Sequence, residues 1–115
     1  MEIKEEKRGD VLVFVFSGEL MGGEETKIFQ ERIYRAIRQG TVSIVIDMKD
    51  VKWMNSSGLG MLMAGLTTLR GSEGNLKLAN ASERVRRPIE IAKLDKILQI
   101  FGSVDAAVES FASGG

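Results

Sequence analysis

The sequence predicts an α/β domain with a small, mixed, mainly parallel sheet of four to five strands and about four helices. Short apolar runs, which are typical of buried strands, alternate with longer segments of helical periodicity. Strands that alternate with helices of this length form right-handed crossovers between parallel neighbours. A charged segment before the first apolar run adds an antiparallel edge strand. The 115 residues fit a single domain over 1–115, with a flexible tail over 112–115.

The first elements are a hairpin and a helix. "MEIKEEKRGD" is highly charged and alternates weakly, which predicts an edge strand that ends in a turn at residues 8–10. Val11–Phe16 is continuously apolar, as in a central strand covered on both faces. Acidic residues from Glu24 onward mark a helix start, and Gly40 marks its stop. Apolar residues recur between them at helical spacing, namely Ile28, Phe29, Ile33 and Ile37.

The second half of the chain continues the alternation. "TVSIVIDM" predicts a buried strand with Asp47 near its C-terminal end, and "KDVKWMN" is interpreted as a connection. A helix is predicted from about Ser56 to Arg70, followed by a short alternating strand in "NLKLAN". "SERVRRPIEIAKL" predicts a third helix, although Pro88 is unfavourable in a helix interior. "ILQIF" and "SVDAAVESF" predict a last short strand and a helix capped by Ser103.

Composition limits the classes of function. Sixteen basic residues balance sixteen acidic ones, so no overall field favours nucleic acid or an anionic membrane surface. The chain has neither cysteine nor histidine, which excludes a Ser-His-Asp triad within it and gives no reason to expect a metal site or a cofactor. No apolar run is long enough to span a membrane or to act as a leader. We therefore expect a cytoplasmic protein with no nucleic-acid or membrane partner.

The segment "WMNSSGLGMLMAGL" holds the main candidate site. At about 100° per residue, one stripe of its helix consists of large apolar side chains and is expected to pack on the sheet: Leu59, Leu62, Met63, Leu66 and Leu69. The opposite stripe contains Ser57, Met61, Ala64 and Thr68. Ser57 and Met61 are therefore predicted to face outward. Beside two glycines that leave the backbone uncovered, they suggest a docking surface.

Four interpretations of "NSSGLG" remain open at this point. Asn55 or Ser56 could cap the helix while the glycines merely pack. A nucleophilic serine would lack a histidine base and any supporting lysine motif. A nucleotide loop would need G-x-G-x-x-G or G-K-[ST], and neither follows Gly58 and Gly60, so only weak nucleotide binding at the helix start remains. The fourth interpretation is phosphorylation of Ser57, which adds about −1.5 to −2 charges where free helix amides tolerate them.

The chain resembles the STAS family, and in particular the bacterial anti-sigma-factor antagonists. The resemblance rests on "SGEL" at Ser17–Leu20, on Ile44–Leu66 and on Leu76–Phe111, and so covers nearly the whole chain. Its most specific part is the pattern D-x-x-x-V-x-x-x-[DN]-S-S-G-L-G, which begins at Asp47. The family often has an aspartate before the serine pair, where this chain has Asn55, and an acidic residue after "GEL", where it has Met21.

The resemblance implies the STAS fold and a function without catalysis. It implies reversible phosphorylation at Ser57, with an anti-sigma factor that is a serine kinase as the binding partner and a metal-dependent serine phosphatase that restores the unmodified form. Only the unphosphorylated antagonist would bind the kinase. The residues expected at the partner surface are Met21, Asn55, Ser56, Ser57, Gly58, Gly60 and Met61. The alternative is an unswitched STAS subunit of a transporter or a signalling scaffold.

Overall fold

The computed structural model describes residues 1–112, and it contains five strands and four helices. In chain order they are β1 (Glu2–Arg8), β2 (Val11–Leu20), α1 (Glu24–Arg38), β3 (Ser43–Met54), α2 (Ser56–Gly71), β4 (Asn75–Ala79), α3 (Glu83–Ile91), β5 (Ile100–Phe101) and α4 (Val104–Ala112). The strands form one sheet in the order β1-β2-β3-β4-β5. Only the β1–β2 pair is antiparallel. The predicted fold class is confirmed. Ala112 belongs to α4 rather than to a tail, and the rest of the predicted tail lies outside the described residues.

The helices divide between the two faces of the sheet. Phe29 of α1, Leu66 of α2 and Val85 of α3 belong to one apolar core, together with large side chains of β2 and β3. Phe29 is its centre, with its ring 5.8 Å from that of Phe14 and 5.5 Å from that of Phe16, both edge to face. Helix α4 packs on the opposite face, where Ala107 is fully buried. The strands between the two layers are therefore covered on both sides.

Strand β3 differs from the sequence-based expectation. "KDVKWMN" was predicted to be a connection, but β3 continues through it to Met54. The polar Lys49 and Asp50 are exposed at a bulge, where the register with β2 shifts. The buried Asp47 carboxylate holds this bulge, since its Oδ1 accepts hydrogen bonds from the backbone N–H of Lys49 (3.1 Å) and from the side-chain amide of Asn80 (3.0 Å). The longer strand carries the chain directly to Asn55, where α2 is about to begin.

Strand β4 is more buried than its alternating sequence suggests. Leu76 to Ala79 are all buried, including Lys77. The Lys77 side chain lies beneath α4, where its ammonium group donates to Ser110 Oγ at 2.7 Å and lies 4.1 Å from the centre of the Phe111 ring. Desolvation by burial lowers the pKa of Lys77. Lys77 in the alternating pattern thus predicted an exposed face of β4, but α4 covers that face.

The last elements are shorter than their patterns indicate. Helix α3 contains Pro88 and ends at Ile91, while "ILQIF" contributes only the two residues of β5. Ser82 stands at the N-cap of α3 without a side-chain hydrogen bond. By contrast, Ser103 Oγ accepts from the Ala106 N–H at 3.0 Å, as predicted for α4. Among the described residues, no helix has both the length and the apolar character that crossing a membrane requires.

Candidate functional site

Asn55 caps the start of α2. Its backbone is extended (φ −98°, ψ −179°), and its Oδ1 accepts a hydrogen bond from the Gly58 N–H at 2.8 Å. Its own N–H donates to the Leu20 carbonyl at 3.2 Å, which ties the helix start to the end of β2. The capping interpretation is therefore correct for Asn55. A side-chain acceptor at this position satisfies one of the amides that a helix start leaves without a partner.

Ser57 lies in the first turn of α2 with its side chain exposed, as predicted. Within residues 1–112, no hydrogen bond occupies its hydroxyl group. The Gly58 N–H bonds to the Asn55 side chain, and the Leu59 N–H is the first that bonds to the backbone carbonyl of Asn55, at 3.0 Å. The amides of Ser56 and Ser57 thus precede the helical ladder and are available to an anion. The hydroxyl group is accessible to solvent, and a negative charge at this place would face the positive end of the helix dipole.

The two glycines of the motif have different roles. Gly58 is buried, and a Cβ built on it would lie 2.1 Å from the Leu20 carbonyl oxygen. Glycine is therefore required at Gly58 by the close approach of β2. Gly60 is exposed, and a Cβ there would meet nothing within 4 Å. The fold thus gives no reason for glycine at Gly60.

Met61 is not part of the exposed surface, contrary to the prediction. It is 1% exposed and belongs to the core, whereas Leu59 is only partly buried. The helical wheel was oriented by large apolar side chains alone. In the structure, α1 packs closely against Gly65, where a Cβ would lie 2.7 Å from the Phe29 ring. Because glycines form part of the packed face, that face is rotated relative to the predicted one, and it buries Gly58 and Met61.

The loop after β2 contacts the start of α2. Gly22 has φ +77°, and a Cβ built on it would lie 2.9 Å from the Ser57 carbonyl oxygen. Its neighbour Met21 is 46% exposed. The structure therefore brings the predicted Met21 position close to the serine pair. We call the accessible residues here the Ser57 surface: Met21, Asn55, Ser56, Ser57 and Gly60.

A shallow groove of about 380 Å³ lies between the end of β3 and α3, and the sequence did not indicate it. Trp53, Arg84 and Arg87 line it together with Ile91, which is 71% exposed. Trp53 is half-buried, and its indole N–H donates to the Glu19 carboxylate at 2.6 Å. The Arg84–Ile91 spacing places both residues on one stripe of α3. The sequence signal that could have indicated this groove is Ile91, the second isoleucine of "RRPIEI", which is exposed in the structure.

The Ser57 surface offers hydroxyl, amide and apolar groups. Among residues 1–112, no group of three or more histidine, cysteine, aspartate or glutamate side chains could hold a metal ion. Titratable side chains lie outside the surface. The arrangement is suited to binding a partner and to accepting a phosphoryl group. Weak nucleotide binding at the start of α2 stays a prediction.

Replacing Asn55 with alanine should lower the free energy of unfolding by about 1 kcal/mol, because the Gly58 amide loses its acceptor. Urea titration would measure the change. An Asn55→Asp variant is the matched control, since it keeps the oxygen and adds negative charge at the helix start. It should be at least as stable as the unsubstituted protein. Equal stability of the alanine variant would show that the cap contributes nothing.

The fold and this site define a small α/β binding domain with an exposed serine at the start of α2, the helix that follows the central strand β3. The model of the STAS domain family matches residues 2–107. The chain therefore belongs to the STAS domain family.

Relatives and solved structures agree with that assignment. The chain is 31% identical over 100 residues to the anti-sigma-B factor antagonist of Listeria monocytogenes, covering 87% of this chain and 86% of that protein. It is 26% identical to a crystallised anti-sigma factor antagonist from Mycobacterium paratuberculosis, with a TM-score of 0.79 and coverage of 95% and 92%. The Bacillus cell fate determinant SpoIIAA, solved in its phosphorylated form, has a TM-score of 0.74 at 21% identity, with coverage of 96% and 99%. The last likeness concerns the fold alone.

Proposed function

We propose that this protein is an anti-sigma-factor antagonist, a binding module without catalytic activity that phosphorylation of Ser57 switches off. In the unmodified state it sequesters an anti-sigma factor that is also a serine kinase. The observation that carries the proposal is the exposed Ser57 side chain at the amide-rich start of α2. Relatives that bear the antagonist name support it.

The unmodified Ser57 surface suits a partner that excludes water. None of its five residues has an ionisable side chain, and Met21 adds an exposed apolar group. Polar hydroxyl and amide groups of this kind can be desolvated at modest cost if the partner provides hydrogen bonds. Burial of a partner side chain against Met21 and the uncovered backbone of Gly60 adds apolar contact. Before phosphorylation, a partner can therefore bury the Ser57 surface at modest cost.

Gly60 supports a close approach by the partner. A glycine inside a helix lowers stability by about 0.5–1 kcal/mol relative to alanine. The close packing that requires Gly58 is absent at Gly60, where a Cβ would enter open space. We attribute the glycine to binding, since a flat backbone lets a partner atom lie where a methyl group would otherwise stand.

Phosphorylation changes the electrostatics of this surface without disturbing the fold. A phosphate on Ser57 adds about −1.5 to −2 charges near the free amides and the positive end of α2, so the free protein tolerates it. A bound partner would have to remove water from that charge and would be expelled unless it presented a cation. A metal-dependent serine phosphatase would restore the binding form.

Incubation with the cognate kinase and ATP tests the phosphorylation site. Mass spectrometry should place one phosphate on Ser57. The Ser57→Ala variant should accept none, while Ser56→Ala, the neighbouring exposed serine, should be modified like the unsubstituted protein. Phosphate on another residue would reject the assignment of Ser57. No phosphate at all, with stable binding to other proteins, would favour an unswitched STAS subunit instead.

A further inference from the structure

The outer edge of β1 is an unpaired strand edge of seven residues. β1 pairs with β2 along its whole length, from Glu2 to Arg8, and stands at the end of the strand order. No other described strand pairs with its outer side. Such an edge presents a row of backbone donors and acceptors to any strand of matching chemistry. Its side chains therefore decide what can pair with it.

Two observations identify the backbone groups on the open side. A two-residue turn with Gly9 at φ +64° joins β1 to β2, so the hairpin closes at Arg8 with a hydrogen-bonded pair. Successive residues of a strand then direct their N–H and C=O groups alternately toward and away from the neighbour. In agreement, the Ile3 carbonyl accepts a hydrogen bond from the Arg32 side chain of α1 at 3.2 Å. The residues that face outward are Ile3, Glu5 and Lys7.

We propose that β1 is a homodimerisation edge, which pairs antiparallel with β1 of a second copy so that Glu5 lies opposite Glu5 of that copy. Ile3 of each chain then pairs with Lys7 of the other through the outward-facing backbone groups. The result is one continuous sheet of ten strands, related by a two-fold axis at Glu5. The contact is isologous, as in most dimers, and is closed to further addition. This inference does not depend on the proposed antagonist function.

Charge complementarity favours a second copy of this chain as the partner of the β1 edge, and it favours the register centred at Glu5. In this register Glu2 lies opposite Arg8 of the second copy, and Lys4 lies opposite Glu6. By symmetry each of these unlike pairs occurs twice. Unlike charges directly opposite one another stabilise antiparallel pairs, whereas like charges destabilise them.

The neighbouring symmetric registers lack this complementarity. A centre at Lys4 places Lys4 against Lys4 and Glu2 against Glu6. A centre at Glu6 places Glu6 against Glu6 and Lys4 against Arg8, so three like pairs outnumber the two unlike pairs of Glu5 with Lys7. Charged residues on an edge strand normally prevent indiscriminate pairing. Here the same charges disfavour the neighbouring registers and permit the Glu5-centred one.

The two Glu5 carboxylates at the centre of the dimer carry like charges, and arginine side chains of α1 compensate them. The Glu5 carboxylate is bound by Arg32 at 3.0 Å and by Arg35 at 3.2 Å, both from α1. Two-fold symmetry brings both sets of arginines to the same place, so four guanidinium groups surround two carboxylates. The Ile3 carbonyl oxygen has a second lone pair. It can therefore accept a hydrogen bond from the backbone N–H of Lys7 of the second copy while it keeps its bond to Arg32. Ser57 follows β3, which β2 separates from β1, and is not part of this contact.

Charge exchange between Lys4 and Glu6 tests the register. Sedimentation velocity should show a monomer–dimer equilibrium from micromolar to millimolar concentration, weakened by added salt. Lys4→Glu and Glu6→Lys should each weaken dimerisation about tenfold or more, since each change creates two like pairs. The double variant should restore it, because its opposite pairs are again unlike.

Lys96→Glu, at an exposed position outside the sheet, is the control for net charge and should dimerise like the unsubstituted protein. Amide exchange should slow at Ile3, Glu5 and Lys7 as the concentration rises. A protein that stays monomeric up to millimolar concentration would overturn the proposal. A dimer that is insensitive to the single changes, or is not rescued by the double change, would overturn it equally.

Discussion

Replacing Gly58 with alanine should destabilise the protein by about 3 kcal/mol, the largest change in stability expected from any substitution in the serine motif. The new methyl group would lie 2.1 Å from the Leu20 carbonyl oxygen, a backbone atom that cannot rotate away. The same oxygen accepts the Asn55 N–H, so a shift of β2 would also disturb the helix cap. Urea unfolding followed by circular dichroism measures the loss.

Gly60→Ala is the matched control, two residues further along the same helix. Its methyl group meets nothing within 4 Å, and alanine is the better helix former, so stability should rise by about 0.5–1 kcal/mol. Binding to the anti-sigma factor should nevertheless weaken if Gly60 is kept flat for the partner. Similar losses of stability in both variants would contradict the different roles assigned to the two glycines.

Ser57→Asp should weaken binding to the anti-sigma factor by about 100- to 1,000-fold, equivalent to about 3–4 kcal/mol. The carboxylate brings a charge into a surface whose side chains are otherwise uncharged, and the partner must desolvate that charge on binding. The free energy of unfolding should change by less than about 0.5 kcal/mol, because the side chain is exposed and the helix start favours an anion. Titration calorimetry measures the affinity.

Ser57→Asn separates charge from size in this experiment. Asparagine has nearly the shape of aspartate without its charge, so it should reduce affinity far less. Ser57→Ala should bind nearly as well as the unsubstituted protein, since no protein group depends on the hydroxyl. Normal binding by the aspartate variant would refute the electrostatic switch. Equal losses for aspartate and asparagine would indicate that bulk, rather than charge, controls binding.

Local sequence signals predicted the order and type of the elements. The hairpin turn at residues 8–10, the helix start at Glu24 and the cap at Ser103 each rest on a few neighbouring residues. Such signals act within one turn of the chain, so they can be read without the fold. The course of β3 could not be predicted, because the charged "KDVK" segment resembles a loop until the pairing of a bulged strand with β2 is known.

In the candidate site, too, local signals predicted some features, while others depend on contacts between distant segments. Ser57 is accessible as predicted, although the same helical wheel wrongly placed Met61 outside, and Asn55 is the cap, one of the two residues that the sequence offered for that position. The exposure of Met61 was predicted incorrectly, because the packed side of α2 depends on which neighbours approach it. The groove beside Trp53 was missed, since α3 and the end of β3 form it together.

Hydrophobic period, caps and turn residues act locally, so the fold class, the family pattern and a serine at the start of a helix could be predicted without the fold. The buried side of α2, the burial of Met61 and the need for glycine at Gly58 but not at Gly60 became known from the packed molecule. Contacts between segments that are distant in sequence determine close packing, and no local pattern encodes them. A Cβ atom is acceptable or not according to the atoms that the fold places beside it.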